Sequence, residues 1–220
     1  MKWRSLSVVL CLVVATPIAR AEEATRVRGQ GWSFFSSQTA GASATVFGAE
    51  AGFPGLSLTA LRGLQDRFDI GGRFSLVYAF ENMPRLIYPG LKAEVFGRIH
   101  LVDTGRFGLG VNLGVGFLTT FAWTNVFGIS MPIGLVLGIP IGSAMVASLG
   151  LDMPLFVTFG GSGGLTVPIL AGVGFEYFID KSLMVTFDMR MGSALGVTGL
   201  RFGNTNEFAF KLLAGIALKL

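Results

Sequence analysis

From Phe107 to Leu151 the chain carries no charge, and much of that stretch alternates with a strict two-residue period. Between Phe107 and Leu118 the odd positions are Phe107, Leu109, Val111, Leu113, Val115 and Phe117. The even positions are Gly108, Gly110, Asn112, Gly114, Gly116 and Leu118. Successive side chains of a strand point to opposite faces, so this register gathers the large apolar groups on one side. A helix would scatter the same glycines around its cylinder and be weakened by each.

The alternation recurs over Phe68–Phe80, Ala93–Leu101, Ile133–Ile139, Leu149–Leu155, Val167–Tyr177, Leu183–Met189 and Phe208–Leu218. In these segments every charge falls on the face opposite the large apolar residues. Asp69, Arg73, Lys92, Glu94, Arg98, His100, Asp188, Arg190 and Lys211 form that polar face and are the candidate lumen cluster. A soluble sandwich would use its faces the other way, with charge outside. With 51% apolar residues, 14% charged residues and 32 glycines, the composition suits a lipid-like solvent. Lipid admits only helices and closed barrels, because each backbone N–H and C=O must be satisfied internally. The two-residue period selects the barrel. A Lys or Arg facing lipid at mid-depth costs roughly 2–4 kcal/mol, which accounts for the one-sided use of charge.

The fold expected is therefore all-β: a closed antiparallel up-and-down transmembrane β-barrel of about ten strands, with eight as the alternative. Tight connections at 64–67, 103–106, 142–143 and 179–182 alternate with looser ones at 81–90, 119–129, 159–164 and 192–206. Short turns in such barrels face the periplasm and long loops face outward. An even count needs one strand before Pro54, and either Thr45–Gly52 or Gln30–Ser37 could supply it. Aromatics at Phe68, Phe107, Phe175 and Tyr177, and at Tyr78, Phe80, Phe117, Phe208 and Phe210, fall where two interfacial girdles belong. Pro132, Pro140, Pro154 and Pro168 run against the reading, since proline donates nothing to a ladder.

The chain start reads as a secretory signal over residues 1–21. Lys2 and Arg4 precede an uncharged run, Leu6 to Val14, and Ala19-Arg20-Ala21 offers an A-x-A cleavage site. Cys11 lies inside that signal, so the mature chain has no thiol for disulfides, catalysis or metal binding. Residues 22–44 form a Ser-, Thr-, Gln- and Gly-rich segment, either a periplasmic tether or the home of a first strand around Trp32 to Phe35. The barrel is expected over 45–220.

With its signal, alternating strands and final strand, the mature chain resembles the small bacterial outer-membrane barrels as a class. The ending Gly215-Ile216-Ala217-Leu218-Lys219-Leu220 lacks the terminal aromatic usual there. The resemblance implies residence in the outer membrane, contact with its lipid and handling by the barrel-assembly machinery. It carries over no functional residue.

Catalytic, cofactor and metal sites are not expected. His100 is the one histidine and points inward near the tight turn at Asp103, away from the outer surface where lipid-modifying enzymes of the class work. The net charge of +4 is too small and dispersed for nucleic acid. Inside the barrel, Gly108, Gly110, Gly114, Gly116, Gly134, Gly138, Gly150, Gly172 and Gly174 make a bare arc opposite the charged one. The expected function is a structural or binding barrel whose long Arg and Lys side chains fill that bare side. The alternative is a narrow passive channel for small solutes, and a lipid-modifying enzyme comes third.

Overall fold

The computed structural model describes residues 31–78, 89–121, 126–142, 144–159, 164–198 and 201–220. The expected signal peptide and Phe80 lie outside them. Ten strands succeed one another: β1 (Thr45–Phe53), β2 (Gly55–Gln65), β3 (Phe68–Val77), β4 (Gly90–Asp103), β5 (Gly108–Thr120), β6 (Val126–Ile141), β7 (Met145–Phe159), β8 (Gly164–Phe178), β9 (Leu183–Thr198) and β10 (Arg201–Lys219). Each pairs antiparallel with its chain neighbours, and β1 pairs with β10 to close the barrel. Of the two candidates for the first strand, Thr45–Gly52 is the one that forms it. Residues 192–206 had been expected to be largely loop, but most of them lie in β9 and β10 and pair with each other, as Leu195 with Asn206.

The register sets the shape. Direct partners lead from Ala217 to Gly48, Thr59, Arg73, Glu94, Gly116, Ser130, Phe156, Thr166, Gly196 and back to β10 at Thr205. This stagger from 217 to 205 tilts the strands by about 40°, as barrel closure requires. The tight turns and the chain end meet at one rim, where Thr45 and Leu220 exchange backbone hydrogen bonds of 3.2 and 2.8 Å. In the turn between β8 and β9, Asp180 accepts from the Ser182 N–H, the Ser182 hydroxyl and the Leu183 N–H. Those donors hold its carboxyl below the usual carboxylate range.

The opposite rim is uneven. β1, β2 and β3 have 9, 11 and 10 residues, whereas β9 and β10 have 16 and 19. β1 leaves β10 at the Phe53–Leu212 pair, and β10 continues beyond it without β1 alongside.

Large apolar side chains face outward round the whole wall: Phe47, Leu58, Phe74, Val95, Phe117, Phe127, Leu151, Phe175, Val185 and Ile216 are all exposed. Arg62 on β2 is an exception, an exposed outward cation bonded to Thr45 Oγ1 at 2.7 Å near the tight-turn rim. The prolines are accommodated where pairing is interrupted. The β5–β6 ladder skips from Leu113–Ile133 to Gly116–Ser130 beside Pro132. The β7–β8 ladder skips from Asp152–Leu170 to Phe156–Thr166 beside Pro154 and Pro168.

Candidate functional site

The lumen is occupied at its tight-turn end by the chain's own N-terminal segment. Residues 32–40 are neither a strand nor an external tether. They turn through a series of bends inside the barrel, and Trp32, Ser33, Phe34, Ser36, Ser37, Thr39 and Ala40 are all buried. The segment closes on itself, with the Ser33 N–H donating to the Thr39 carbonyl at 3.2 Å. Locally, the Ser36 N–H donates to Ser33 Oγ at 2.7 Å, the side-chain turn that serine favours.

Four side chains of the wall grip this segment. Glu176 on β8 places one oxygen, Oε1, where Ser33 Oγ and the N–H groups of Phe34 and Phe35 all donate at 2.8 Å. Arg98 on β4 donates to the carbonyls of Phe34 and Ser33 at 2.9 and 2.8 Å, and through Nε to Asp69 at 3.0 Å. Asp69 in turn accepts the Ala40 N–H on both its oxygens, at 3.1 and 2.9 Å. His100 sits 2.7 Å from the Ser37 carbonyl through Nδ1. A carbonyl only accepts, so Nδ1 carries the proton of that bond. Its Nε2 lies 3.7 Å from Asp103. Hydrogen bonds to ionised groups contribute roughly 1.5–3 kcal/mol each, and this set satisfies backbone groups that the segment would otherwise bury bare.

Apolar packing completes the seat. Trp32 stacks edge-on against Phe178 at 5.5 Å, donates its indole N–H to the Lys181 carbonyl at 3.0 Å, and lies under the Lys219 ammonium. Phe34 joins Trp32, Val46, Leu61, Phe178 and Met184 in one buried cluster. Burying a side chain of this kind contributes about 1.5–3 kcal/mol.

The glycine arc has its explanation at the tight-turn end, and there it differs from the one expected. Long side chains do cross the lumen in places: a methyl at Gly150 would strike the Arg190 guanidinium. Most of the bare wall at this end instead clears the N-terminal segment. A Cβ at Gly108 would lie 2.6 Å from the Ser37 hydroxyl, one at Gly174 2.5 Å from the Phe35 ring, and one at Gly138 2.4 and 2.5 Å from the hydroxyls of Ser36 and Ser37; outside the arc, one at Gly48 on β1 would lie 2.2 Å from the Phe34 ring. Gly138→Leu is therefore expected to push the segment out while leaving the strands paired, at a cost of about 1–3 kcal/mol from overpacking. Faster clipping within residues 31–44 by added protease, with unchanged gel migration of the folded barrel, would be the sign of it.

Above the segment, with Phe35 at its floor, is a cavity of about 130 Å³. Its wall carries the rest of the candidate cluster. Lys92 pairs with Glu94 at 3.4 Å, and Glu94 accepts the Ser130 hydroxyl at 2.6 Å. Lys211 bridges Asp188 and Asp152 at 2.7 and 3.0 Å, and Arg190 pairs with Asp188 at 2.8 Å. Arg73 donates to Thr59 Oγ1 at 3.1 Å and lies over the Phe96 ring. The nine candidate residues thus divide into a lower group (Asp69, Arg98, His100) that holds the segment and an upper group that lines the cavity. The sequence reading left out Glu176, Asp152, Glu50 and the segment itself. The first three share the inward parity of their strands, which was the available signal. Among the described residues no group of three His, Cys, Asp or Glu side chains could hold a metal ion.

A closed antiparallel up-and-down wall that is apolar outside and charged inside defines the class, that of the small membrane β-barrels. No family model matches the chain, and no curated protein matches it. Among solved structures the chain is similar to the KdgM porin, with a TM-score of 0.36 and 10% identity over 80% of this chain and 98% of that one.

Proposed function

We propose that this protein is an integral barrel of the bacterial outer membrane, delivered by a signal over residues 1–21, and that its role is structural or binding, with the lumen kept closed. It sits in the lipid of that membrane after handling by the barrel-assembly machinery, with the tight-turn rim in the periplasm. The observation that carries the closed-lumen reading is the seat of residues 32–40, gripped by Arg98, Asp69, Glu176 and His100 across the tight-turn end. The apolar outer wall supports the membrane, since so large a continuous apolar surface on a soluble protein would aggregate. What remains open to a ligand is the cavity above the segment, so binding from the loop side is the activity the geometry favours.

Planar-bilayer recording tests this. The intact refolded protein is expected to be silent. A variant with residues 32–40 replaced by Gly and Ser is expected to conduct in discrete steps, because the tight-turn end of the lumen is then open below the cavity. Discrete steps from the intact protein would overturn the closed-lumen reading in favour of a passive channel.

A further inference from the structure

The outer wall has a relief of its own. Large apolar side chains face outward round the barrel, but Ala49, Ala60, Gly72 and Ala93 put small ones on four successive strands, β1 to β4. Ala60 and Gly72 are direct partners across β2 and β3. A Cβ added at Gly72 would meet only the Glu94 carbonyl, at 3.9 Å, so no packing inside the wall demands a glycine there. At its inward neighbour Gly71 the same atom would lie 2.6 Å from Leu61. The small residues floor an apolar groove of about 1030 Å³ that crosses the strands from Leu183 on β9 to Ile129 on β6, with Phe47, Phe74 and Phe117 standing along it. A second groove of about 450 Å³, over Ala51 and Ala214, borders it along Leu58 and Ile216.

The stagger of the barrel gives the larger groove a slope. It passes Ala217, two residues from the end of β10, and Glu94, nine residues from the end of β4. It therefore climbs away from the tight-turn rim. At about 4.8 Å between strands and a slope of about 40°, the crossing from β10 to β6 rises roughly 18 Å, comparable with the ~15 Å of one leaflet. At its foot stands Arg62, on the same face of β2 as Ala60 and two residues nearer the turn. Arg62 is exposed and donates to Thr45 Oγ1, and no carboxylate among the described residues lies within 4.0 Å of it. It lies three residues from the end of β2, roughly 8 Å above the turn, so its long side chain reaches the membrane interface.

We propose that this face holds one diacyl phospholipid of the periplasmic leaflet, its phosphate on Arg62 and its chains in the two grooves. A guanidinium offers a fork of donors that fits a phosphate's oxygens. An apolar surface with a single cation at its foot has the layout of an acyl lipid above an anionic head. The larger groove is at the top of the ~300–1,000 Å³ range of ligand sites, more than a small solute fills. A second barrel pressed against this wall would bridge the groove and leave it empty. A flexible chain fills it and recovers the dispersion contacts that an empty groove forfeits. The site crosses the β1–β10 seam, so the lipid spans the two strands whose pairing closes the barrel.

This inference rests on the membrane reading and not on the closed lumen. Native mass spectrometry of the refolded full chain, released from a non-ionic detergent containing dipalmitoyl phosphatidylglycerol, tests it. One retained lipid per barrel is expected. Dipalmitoyl glycerol, which has the chains and no phosphate, is expected to be retained at least tenfold less. Gly72→Leu with Ala60→Leu fills the groove from the lipid side and should cut retention at least tenfold. Ala171→Leu, also outward and exposed but on β8 away from the groove, should leave retention unchanged. Arg62→Gln should abolish the preference for the phosphate-bearing lipid, and Arg62→Lys should restore part of it. Should the double variant lose the gel mobility of the folded barrel, Gly72→Leu alone carries the test, since its Cβ meets only ordinary contact. A graded series of adducts that none of these substitutions changes is the mobile lipid around any barrel and overturns the proposal. Equal retention of the two lipids overturns it too. A chain that does not insert into phosphatidylglycerol vesicles defeats the membrane reading, whereas a barrel that inserts and retains no lipid defeats this inference alone.

Discussion

Replacing Arg98 with alanine is expected to lower the stability of the folded barrel by about 3–5 kcal/mol, the range for breaking a buried ion pair from one side. Arg98 and Asp69 are 1% and 0% exposed, so the orphaned carboxylate has no solvent to turn to. The loss extends beyond the pair. The carbonyls of Ser33 and Phe34 lose their donors, and the bidentate hold of Asp69 on the Ala40 N–H loses the cation that neutralises it. Urea unfolding in detergent, read by the gel mobility of the folded form, measures the change. Replacing both partners, Arg98→Leu with Asp69→Leu, is expected to recover most of the barrel's stability, since no charge is then stranded. It should not recover the protease resistance of residues 31–44, which depends on the lost hydrogen bonds. A single Arg98→Ala variant as stable as the parent would show that the pair does not anchor the fold.

Glu176→Ala has the opposite signature: the barrel persists and the segment leaves. One oxygen of this side chain accepts three donors at 2.8 Å, so its loss strands Ser33 Oγ and the N–H groups of Phe34 and Phe35 together. Each buried donor left without a partner costs roughly 1–3 kcal/mol, and three at once offset the roughly 1.5–3 kcal/mol that Trp32 and Phe34 each gain by burial. The strands of β8 keep their ladders, because Glu176 contributes to them only through its backbone. Discrete conductance steps and rapid clipping of residues 31–44 are the expected readouts, with the unfolding midpoint moved far less than in Arg98→Ala. Glu176→Gln retains one acceptor oxygen but not its charge. Charge-assisted hydrogen bonds are about twice as strong as neutral ones, so this variant should open the lumen only part of the time. A silent, protected Glu176→Ala barrel would mean that Arg98 and the apolar seat suffice.

The faces of the wall were legible because the physics that sets them is local. A two-residue period fixes which side chains share a face whatever the partner strands are, and Phe107–Leu118 shows it without any structure. The inward parity of Asp69, Arg98, Asp188 and Arg190 was equally plain. What the glycines cleared was not. A glycine opposite a large residue signals close approach, but nothing near Gly138 or Gly174 in sequence says that Ser36 and Phe35 approach them. The segment from Trp32 to Ala40 has no period and no long apolar run, and its partners lie across the barrel, Glu176 about 140 residues away. Composition alone made residues 192–206 look like a loop, since glycine and asparagine punctuate them. Long pairing between β9 and β10 overrides that local preference.

That separation dictates an order of events. Asp69 and Arg98 stand on β3 and β4 and Glu176 on β8, so the socket for residues 32–40 is complete only once strands far apart in the chain have come together. Seating the segment therefore belongs with the long-range contacts of folding, which form slowly, and not with the local hairpins.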